Sequence, residues 1–311
     1  MKALLPALAR PLIEDKLPDG LDIVWFQNRE EAEAHVGDAD IGWLDLQRVS
    51  STREVAAMGE KLQWLFTIRA GIDAFDTDLL QQRGTVLTNG TGFNSSAIAE
   101  YAVMGILVAA KRFDEVVRLA DGHEWTTKPP GTMELTGSSA LVIGYGTIGR
   151  LIAERLRVFG VDVTGVTRSG RDGTLTPDQW RERLPEFDWV ILSAPATPET
   201  ETIIGEDELT AMKPTAWLVN VARGSLVDQN ALVTALNKYR IGGAFLDTVT
   251  PEPLPEMDKL WSAHNVIMTM HLSGRSQSTM YQNGAALFLR NLDAFLNGRT
   301  LENVVDLGRG Y

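Results

Sequence analysis

Three side chains in this sequence have the types and positions that suit acid–base chemistry on a small anionic substrate. Arg223 lies in Val219-Asn220-Val221-Ala222-Arg223-Gly224, Glu252 in Thr250-Pro251-Glu252-Pro253, and His271 directly after the apolar run Val266–Met270. A guanidinium holds a carboxylate through paired hydrogen bonds and polarises an adjacent carbonyl. A carboxylate beside an imidazole favours the protonated ring, which can give its proton to a carbonyl oxygen. Taken singly, each has a blander reading. An arginine after a strand is commonly a surface ion-pair residue, a histidine there a satisfied structural group, and an acid between prolines a loop charge. The joint placement, each just beyond a strand candidate and downstream of a glycine motif, carries the functional reading.

The glycine motif is Gly144-Tyr145-Gly146-Thr147-Ile148-Gly149. It follows the short apolar run Ala140–Ile143, as a strand buried on both faces would. Ile148, Leu151, Ile152, Leu156 and Phe159 then recur at helical spacing, Gly160 marks a helix stop, and Val161–Val166 is a second strand. This strand–turn–helix–strand context makes a dinucleotide-binding fingerprint of the spacing. Gly144 permits the tight turn, Gly146 lets backbone approach a pyrophosphate, and Gly149 lets helix pack on strand. The pyrophosphate belongs at the helix N-terminus. An NAD site places an acid about 20 residues after the glycines. Here Thr167-Arg168-Ser169 stands instead, and no acid follows until Asp172. Arg168 with the two hydroxyls suits a 2′-phosphate. NADP is therefore favoured, with NAD as the alternative if Arg168 is a solvated loop charge.

Elements that would position these groups alternate along the chain. Lys2–Leu5, Asp22–Trp25, Ile41–Leu44, Trp64–Ile68 and Val86–Thr88 read as strands of a first α/β unit, with a helix over Asn28–His35. A helix from Ala97 to about Lys111, with Ser95 or Ser96 as N-cap, has an apolar stripe at Ala99, Ala102, Val103, Ile106, Leu107 and Ala110. Gly122–Thr136 reads as loop. Trp189–Leu192, Ala216–Val219, Gly243–Leu246 and Val266–Met270 complete six strands of a second unit, with a helix over Gln229–Asn237. The alternation predicts a doubly wound parallel sheet with ligands at the carboxyl ends of its strands. The segment from 281 starts as an amphipathic helix through Ala286, Phe288, Leu289, Leu292 and Phe295.

The 311 residues suffice for two domains, and 41 acidic against 29 basic side chains argue against nucleic acid or an anionic membrane as main partner. The absence of cysteine excludes disulfides and thiolate chemistry, and four histidines are too few and scattered for a metal cluster, so no metal is expected. The N-terminal apolar run is broken by Pro6 and Pro11, and no stretch of about 18 apolar residues occurs, so a cytoplasmic protein is the expectation.

Nearly the whole chain resembles the D-isomer-specific 2-hydroxyacid dehydrogenases, in GYGTIGR, LSAPATPET, VNVARGSLVDQNAL, LDTVTPEP and NVIMTMHLSG. The resemblance implies two Rossmann-like or flavodoxin-like domains, the nucleotide domain (101–280) inserted in a substrate domain (1–100 plus 281–311), a cleft between them, and a homodimer. It places the catalytic roles on Arg223, Glu252 and His271. It places cofactor contacts on Gly144, Tyr145, Gly146, Thr147, Ile148, Thr167, Arg168, Ser169, Ala194, Pro195, Val221, Ala222, Asp247 and Ser273. The backbone of the Arg69–Asp73 loop, at Ala70, Gly71 and Ile72, would hold the substrate carboxylate together with Arg223. The implied reaction is NADP(H)-dependent interconversion of a 2-keto acid and a D-2-hydroxy acid, of the glyoxylate or hydroxypyruvate type or larger. Departures are Met270, where many members carry proline, and Thr248-Val249, where Val-Phe is common after the aspartate. Glu252 argues against the formate dehydrogenase branch, and Ala70 against a phosphite-oxidising branch that carries lysine there. Arg69 could read a second acidic group or be a surface charge. The rival from another class is a non-enzymatic dinucleotide sensor of the same fold, such as a corepressor; the chain has no long disordered tails, which weakens that reading. A substrate without a carboxylate is a third.

Overall fold

The computed structural model describes residues 1–308 except Gln47, Asp73, Ser276 and Gln277. The chain divides into two compact units, Met1–Asn94 with Gln277–Tyr311, and Ser95–Ser276.

Unit 1 is built on a parallel sheet of β1 (Lys2–Pro6), β2 (Asp22–Phe26), β3 (Ile41–Trp43), β4 (Trp64–Phe66) and β5 (Val86–Thr88), in the order β2-β1-β3-β4-β5. Helices α1 (Arg10–Ile13), α2 (Arg29–Val36), α3 (Val49–Met58) and α4 (Thr77–Arg83) follow the first four strands in turn. Successive strand residues face opposite sides, which gives two cores. Leu4, Leu44, Leu65 and Leu87 pack with α2 and α3 residues such as Val36 and Val55. Ala3, Leu5, Trp43, Trp64 and Phe66 form the other.

Unit 2 opens with α5 (Ser95–Lys111) and α6 (Phe113–Asp121). Its strands are β6 (Ser139–Ile143), β7 (Asp162–Val166), β8 (Trp189–Leu192), β9 (Trp217–Asn220), β10 (Gly243–Leu246) and β11 (Val266–Met268), interleaved with α7 (Thr147–Val158), α8 (Glu206–Ala211) and α9 (Gln229–Asn237). All pairings are parallel, in the order β11-β10-β9-β8-β6-β7. Ala140, Val142, Trp189, Ile191 and Phe245 bury against α5 and α7. Leu141, Ile143, Val190, Leu192 and Leu246 bury on the other face, with α8 and α9. This is the doubly wound arrangement the alternation predicts. Beyond β7, where a further strand is common in such sheets, only Leu175 remains, bridging Val166. The chain then returns to unit 1 as α10 (Met280–Leu296), whose Phe288 ring lies 5.2 Å from both Trp43 and Trp64.

Several local expectations are corrected. Ser95 and Ser96 are the first residues of α5 rather than its cap. Phe159 is 40% exposed because α7 ends at Val158, and Gly160 (φ +76°) makes the left-handed stop. β11 ends at Met268, because Met270 and His271 take positive φ (+49° and +56°), outside strand geometry. The sequence reading does not predict α6. None of its residues is buried, so its periodicity has no core to answer to.

Candidate active site

The order of the unit 2 sheet reverses between β6 and β8, and open α/β sheets bind ligands at such a point. Gly144 ends β6 there with φ +95°, and a Cβ on it would lie 2.3 Å from the Ala194 nitrogen beyond β8. The Ser193 hydroxyl donates to the Gly144 carbonyl at 2.9 Å and locks the turn. A Cβ on Gly149 would lie 2.4 Å from that same carbonyl, so this glycine seats α7 on the sheet. Gly146 differs, because a Cβ there would meet nothing within 4 Å. Its lack of a side chain answers to open space at the α7 N-terminus. Among the described residues, the N–H groups of Thr147, Ile148 and Gly149 have no acceptor; the first to find one is that of Arg150, on Gly146 O at 2.9 Å. Open space before a row of donors fits a dinucleotide pyrophosphate.

Gly146 and Gly149 separate by substitution. Gly146→Ala is expected to keep the fold and weaken dinucleotide binding about tenfold or more. Gly149→Ala is expected to lower the unfolding temperature through about 1–3 kcal/mol of overpacking. Calorimetric titration with NADPH and a thermal melt check both; normal binding by Gly146→Ala would contradict the assignment.

The other cofactor positions fall into two groups. Tyr145 turns away from the open space: its ring packs on Gly165, and its hydroxyl accepts from Arg157 at 3.1 Å. Thr167 bonds the Thr174 hydroxyl at 2.7 Å, and Val221 and Ala222 are buried with their N–H groups on Leu192 O and Asn220 Oδ1. Arg168, beside the exposed Ser169, is exposed at the end of β7, where its guanidinium lies 3.4 Å from Glu199. Ala194 and Pro195 continue the loop beyond β8, where the Pro195 carbonyl accepts from the Thr200 hydroxyl at 2.7 Å.

Arg223, Glu252 and His271 come together at the carboxyl ends of β9, β10 and β11. Asn220 sets the first: its Nδ2 donates to the Arg223 carbonyl at 2.8 Å while its Oδ1 accepts from Ala222 N–H at 3.0 Å. Gly224 then passes so close to the next loop that a Cβ would lie 2.2 Å from the Val249 carbonyl carbon. That approach brings the Arg223 charge to bear on Glu252. Glu252 Oε2 meets His271 Nδ1 at 2.7 Å, and Oε1 accepts from Val249 N–H at 3.2 Å. With Nδ1 engaged by the carboxylate, Nε2 is the ring nitrogen left for substrate. Partial burial pushes the Glu252 carboxyl up, but the hydrogen bond and charge of His271, the Val249 N–H and the Arg223 charge outweigh it and leave it below its ordinary value. Its ionised form therefore contributes stability that is complete above the ordinary carboxylate range and is lost only as pH falls through the lowered folded-state value.

Asp247 holds the histidine loop. It is 2% exposed, and its Oδ1 accepts from the Thr269 hydroxyl at 2.8 Å, Leu272 N–H at 2.9 Å and Ser273 N–H at 3.2 Å. Its carbonyl accepts His271 N–H at 2.5 Å. These bonds hold Met270 and His271 at positive φ, which costs non-glycine residues about 1–2 kcal/mol each. Proline, with φ fixed near −65°, is incompatible with the backbone at Met270. The neighbouring Thr248 hydroxyl is buried with no partner among the described residues. An unmet buried hydroxyl costs about 1–3 kcal/mol, so Thr248→Val is expected to raise the melting temperature; a fall would mean that the hydroxyl is bonded.

In unit 1, the loop after β4 presents Ala70, Gly71 and Ile72, whose N–H groups have no acceptor among the described residues. Asp73 lies outside the described residues. Arg69 is partly buried and engaged within unit 1: its Nη2 donates to Leu46 O at 2.8 Å and its Nε lies 3.5 Å from Asp45. Asn220, Gly224 and Ser193, which aim or lock the site, escaped the residue-by-residue reading, although all stand in the strand-end segments that it singled out. Among the described residues no cluster of metal-ligating side chains occurs, and no helix is long and apolar enough to cross a membrane.

A family model described as "D-isomer specific 2-hydroxyacid dehydrogenase, NAD binding domain" matches residues 103–273. A D-3-phosphoglycerate dehydrogenase of Methanocaldococcus jannaschii is 30% identical over 285 residues, covering 90% of this chain and 54% of that protein; the chain thus spans about half its length. A glyoxylate reductase of Thermococcus gammatolerans is 34% identical over 265 residues, covering 81% of this chain and 79% of the relative. Among solved structures, the NADPH-dependent glyoxylate/hydroxypyruvate reductase of Sinorhizobium meliloti, in complex with NADP and malonate, superposes with a TM-score of 0.82 at 26% identity, covering 99% of this chain and 97% of that one.

Proposed function

The chain belongs to the D-isomer specific 2-hydroxyacid dehydrogenases, a family of nicotinamide-dependent oxidoreductases, and on that premise we propose that it interconverts a 2-keto acid and a D-2-hydroxy acid with NADP(H). The observation that carries the reading is the 2.7 Å contact between His271 Nδ1 and Glu252 beside Arg223. A reduced dinucleotide held at the α7 N-terminus by the Gly144–Gly149 turn would supply the hydride for the keto carbon. His271 Nε2 gives its proton to the carbonyl oxygen, and Glu252 holds the ring and balances its charge. Arg223 binds the carboxylate and polarises the carbonyl. The Ala70, Gly71 and Ile72 amides are further donors to the carboxylate. Asp247 acts by positioning His271, and Ser273 by closing that loop.

NADP is favoured over NAD because Arg168 is the charged group at the end of β7 and no acid stands where a ribose-binding carboxylate is usual. Loss of reduced-nicotinamide absorbance, followed with NADPH and with NADH on glyoxylate, hydroxypyruvate, pyruvate and phenylpyruvate, tests both points. Faster oxidation of NADPH supports them. A preference for NADH leaves the reaction and removes the role of Arg168. Dinucleotide binding without turnover on any acid would favour a sensor.

We also propose a homodimer. Phe113, Val117, Met104 and Phe159 are 40–55% exposed on α5, α6 and the end of α7, and a contiguous apolar face of that kind marks an interaction surface. Light scattering should give twice 34.2 kDa, and Phe113→Glu should reduce it to one chain.

A further inference from the structure

A crevice of about 720 Å³ opens in unit 1 at the carboxyl ends of β1, β2 and β3. Its volume falls within the range of small-molecule sites. The unit 1 sheet runs β2-β1-β3-β4-β5, so its order also reverses, between β1 and β3, and the crevice lies over that reversal. A substrate as small as glyoxylate would leave most of such a space unfilled.

The chemistry of its walls is anion-binding. Arg29 is neutralised by Glu33 at 2.5 Å and Glu54 at 2.6 Å. Arg48 is exposed and has no carboxylate partner among the described residues. It precedes α3 without capping it by its side chain, so the α3 N-terminus faces the same space with its first N–H groups unmet among the described residues. Ser51 lines the crevice, is only 9% exposed, and its hydroxyl has no hydrogen-bond partner among the described residues. The Ser51 hydroxyl, on an otherwise buried residue, opens into the crevice beside the Arg48 guanidinium, and both are donors that an anion can accept from.

The one acid in the wall is already committed. Asp45 accepts from the Thr67 hydroxyl at 2.6 Å, from Ile68 N–H and the Trp43 indole at 2.8 Å each, and faces Arg69. Burial pushes its carboxyl up, against these bonds and the Arg69 charge. Asp45 and Leu46 line the crevice and also grip Arg69, the residue from which the Ala70–Ile72 loop departs. Crevice and loop are therefore contiguous.

We propose that this crevice takes the far end of an elongated 2-keto acid that carries a second carboxylate, with Arg48 and Ser51 as its specificity-determining residues. The proposal rests on the reading of the reaction above. The keto acid's own carboxylate goes to the Ala70–Ile72 amides, and the second one to Arg48, the Ser51 hydroxyl and the α3 N-terminus.

The test compares 2-ketoglutarate with 2-ketopentanoate, equal in chain length and lacking the second charge. The wild type should have the lower KM for 2-ketoglutarate, and Arg48→Gln should raise the ratio of the two KM values about tenfold or more, as for loss of a hydrogen bond to a charged group. An unchanged ratio would overturn the proposal. Calorimetric titration with glutarate reads the site without turnover: binding by the wild type, weakened in Arg48→Gln and in Ser51→Ala, supports it even if no keto acid is reduced, an outcome that would count against the reaction alone. Absent binding, or equal binding by both variants, overturns it. Glutarate should also inhibit 2-ketopentanoate reduction competitively; non-competitive inhibition would mark an effector site and overturn the substrate assignment.

Discussion

Replacing His271 with Gln should lower keto-acid reduction by at least about 10²-fold while dinucleotide binding is retained. The lower bound is what a positioned acid–base residue commonly contributes. Gln keeps the size and a hydrogen-bond donor but cannot deliver a proton. The fold should tolerate the change, because the side chain is 39% exposed and the loop around it is held by Asp247 through backbone N–H groups that the substitution leaves in place. The expected result is a fall in kcat with a thermal melt close to that of the parent. Glu252→Gln should fall less, because it removes the partner and not the proton. Asp247→Asn should fall as well, with a lowered melt, since one amide cannot accept all the donors that converge on the carboxylate. Near-parental turnover by His271→Gln would mean that protonation comes from elsewhere.

The fold was legible because parallel strands buried on both faces leave uninterrupted apolar runs, and their ends leave polar clusters. Trp189–Leu192, Gly243–Leu246 and the helix Gln229–Asn237 fall where those signals put them. The triad was legible for the same reason: a strand end fixes where the next side chain emerges. What stayed hidden depends on tertiary approach. An outward-facing helix such as α6 buries nothing, so its pattern has no core to identify it. The reduction of a strand to one bridge at Leu175 leaves no run to read. For Arg69 the sequence leaves an acid reader and a surface charge side by side, and does not show that Asp45 and Leu46 engage it. Asp247 reads as a cofactor contact, and nothing in the sequence shows that it also holds the histidine loop through Thr269, Leu272 and Ser273. The roles of Gly144 and Gly149 follow from motif spacing, whereas nothing in the spacing marks Gly224.

Gly224 supports the second large effect. Gly224→Ala should cost about 10²-fold in kcat/KM while NADPH still binds. A Cβ at this position would sit 2.2 Å from both the carbonyl carbon and oxygen of Val249 and 2.5 Å from the Thr250 hydroxyl. The first two are backbone, which no rotamer change can move. Either the Arg223 segment or the Val249–Glu252 segment must therefore retreat. The first carries the guanidinium; the second donates Val249 N–H to Glu252 and sets that carboxylate against His271. A displacement of about 1 Å in a catalytic group can cost such a factor without removing any functional atom. The dinucleotide motif lies after β6, with Ser193 and Ala194 rather than Gly224 as its neighbours, so cofactor affinity should hold. A loss confined to kcat/KM, with binding and the acid–base residues intact, would identify Gly224 as the residue that sets the distance between Arg223 and the Glu252–His271 pair. Unchanged kinetics would show that the two segments have slack, and that Arg223 reaches its substrate without this close approach.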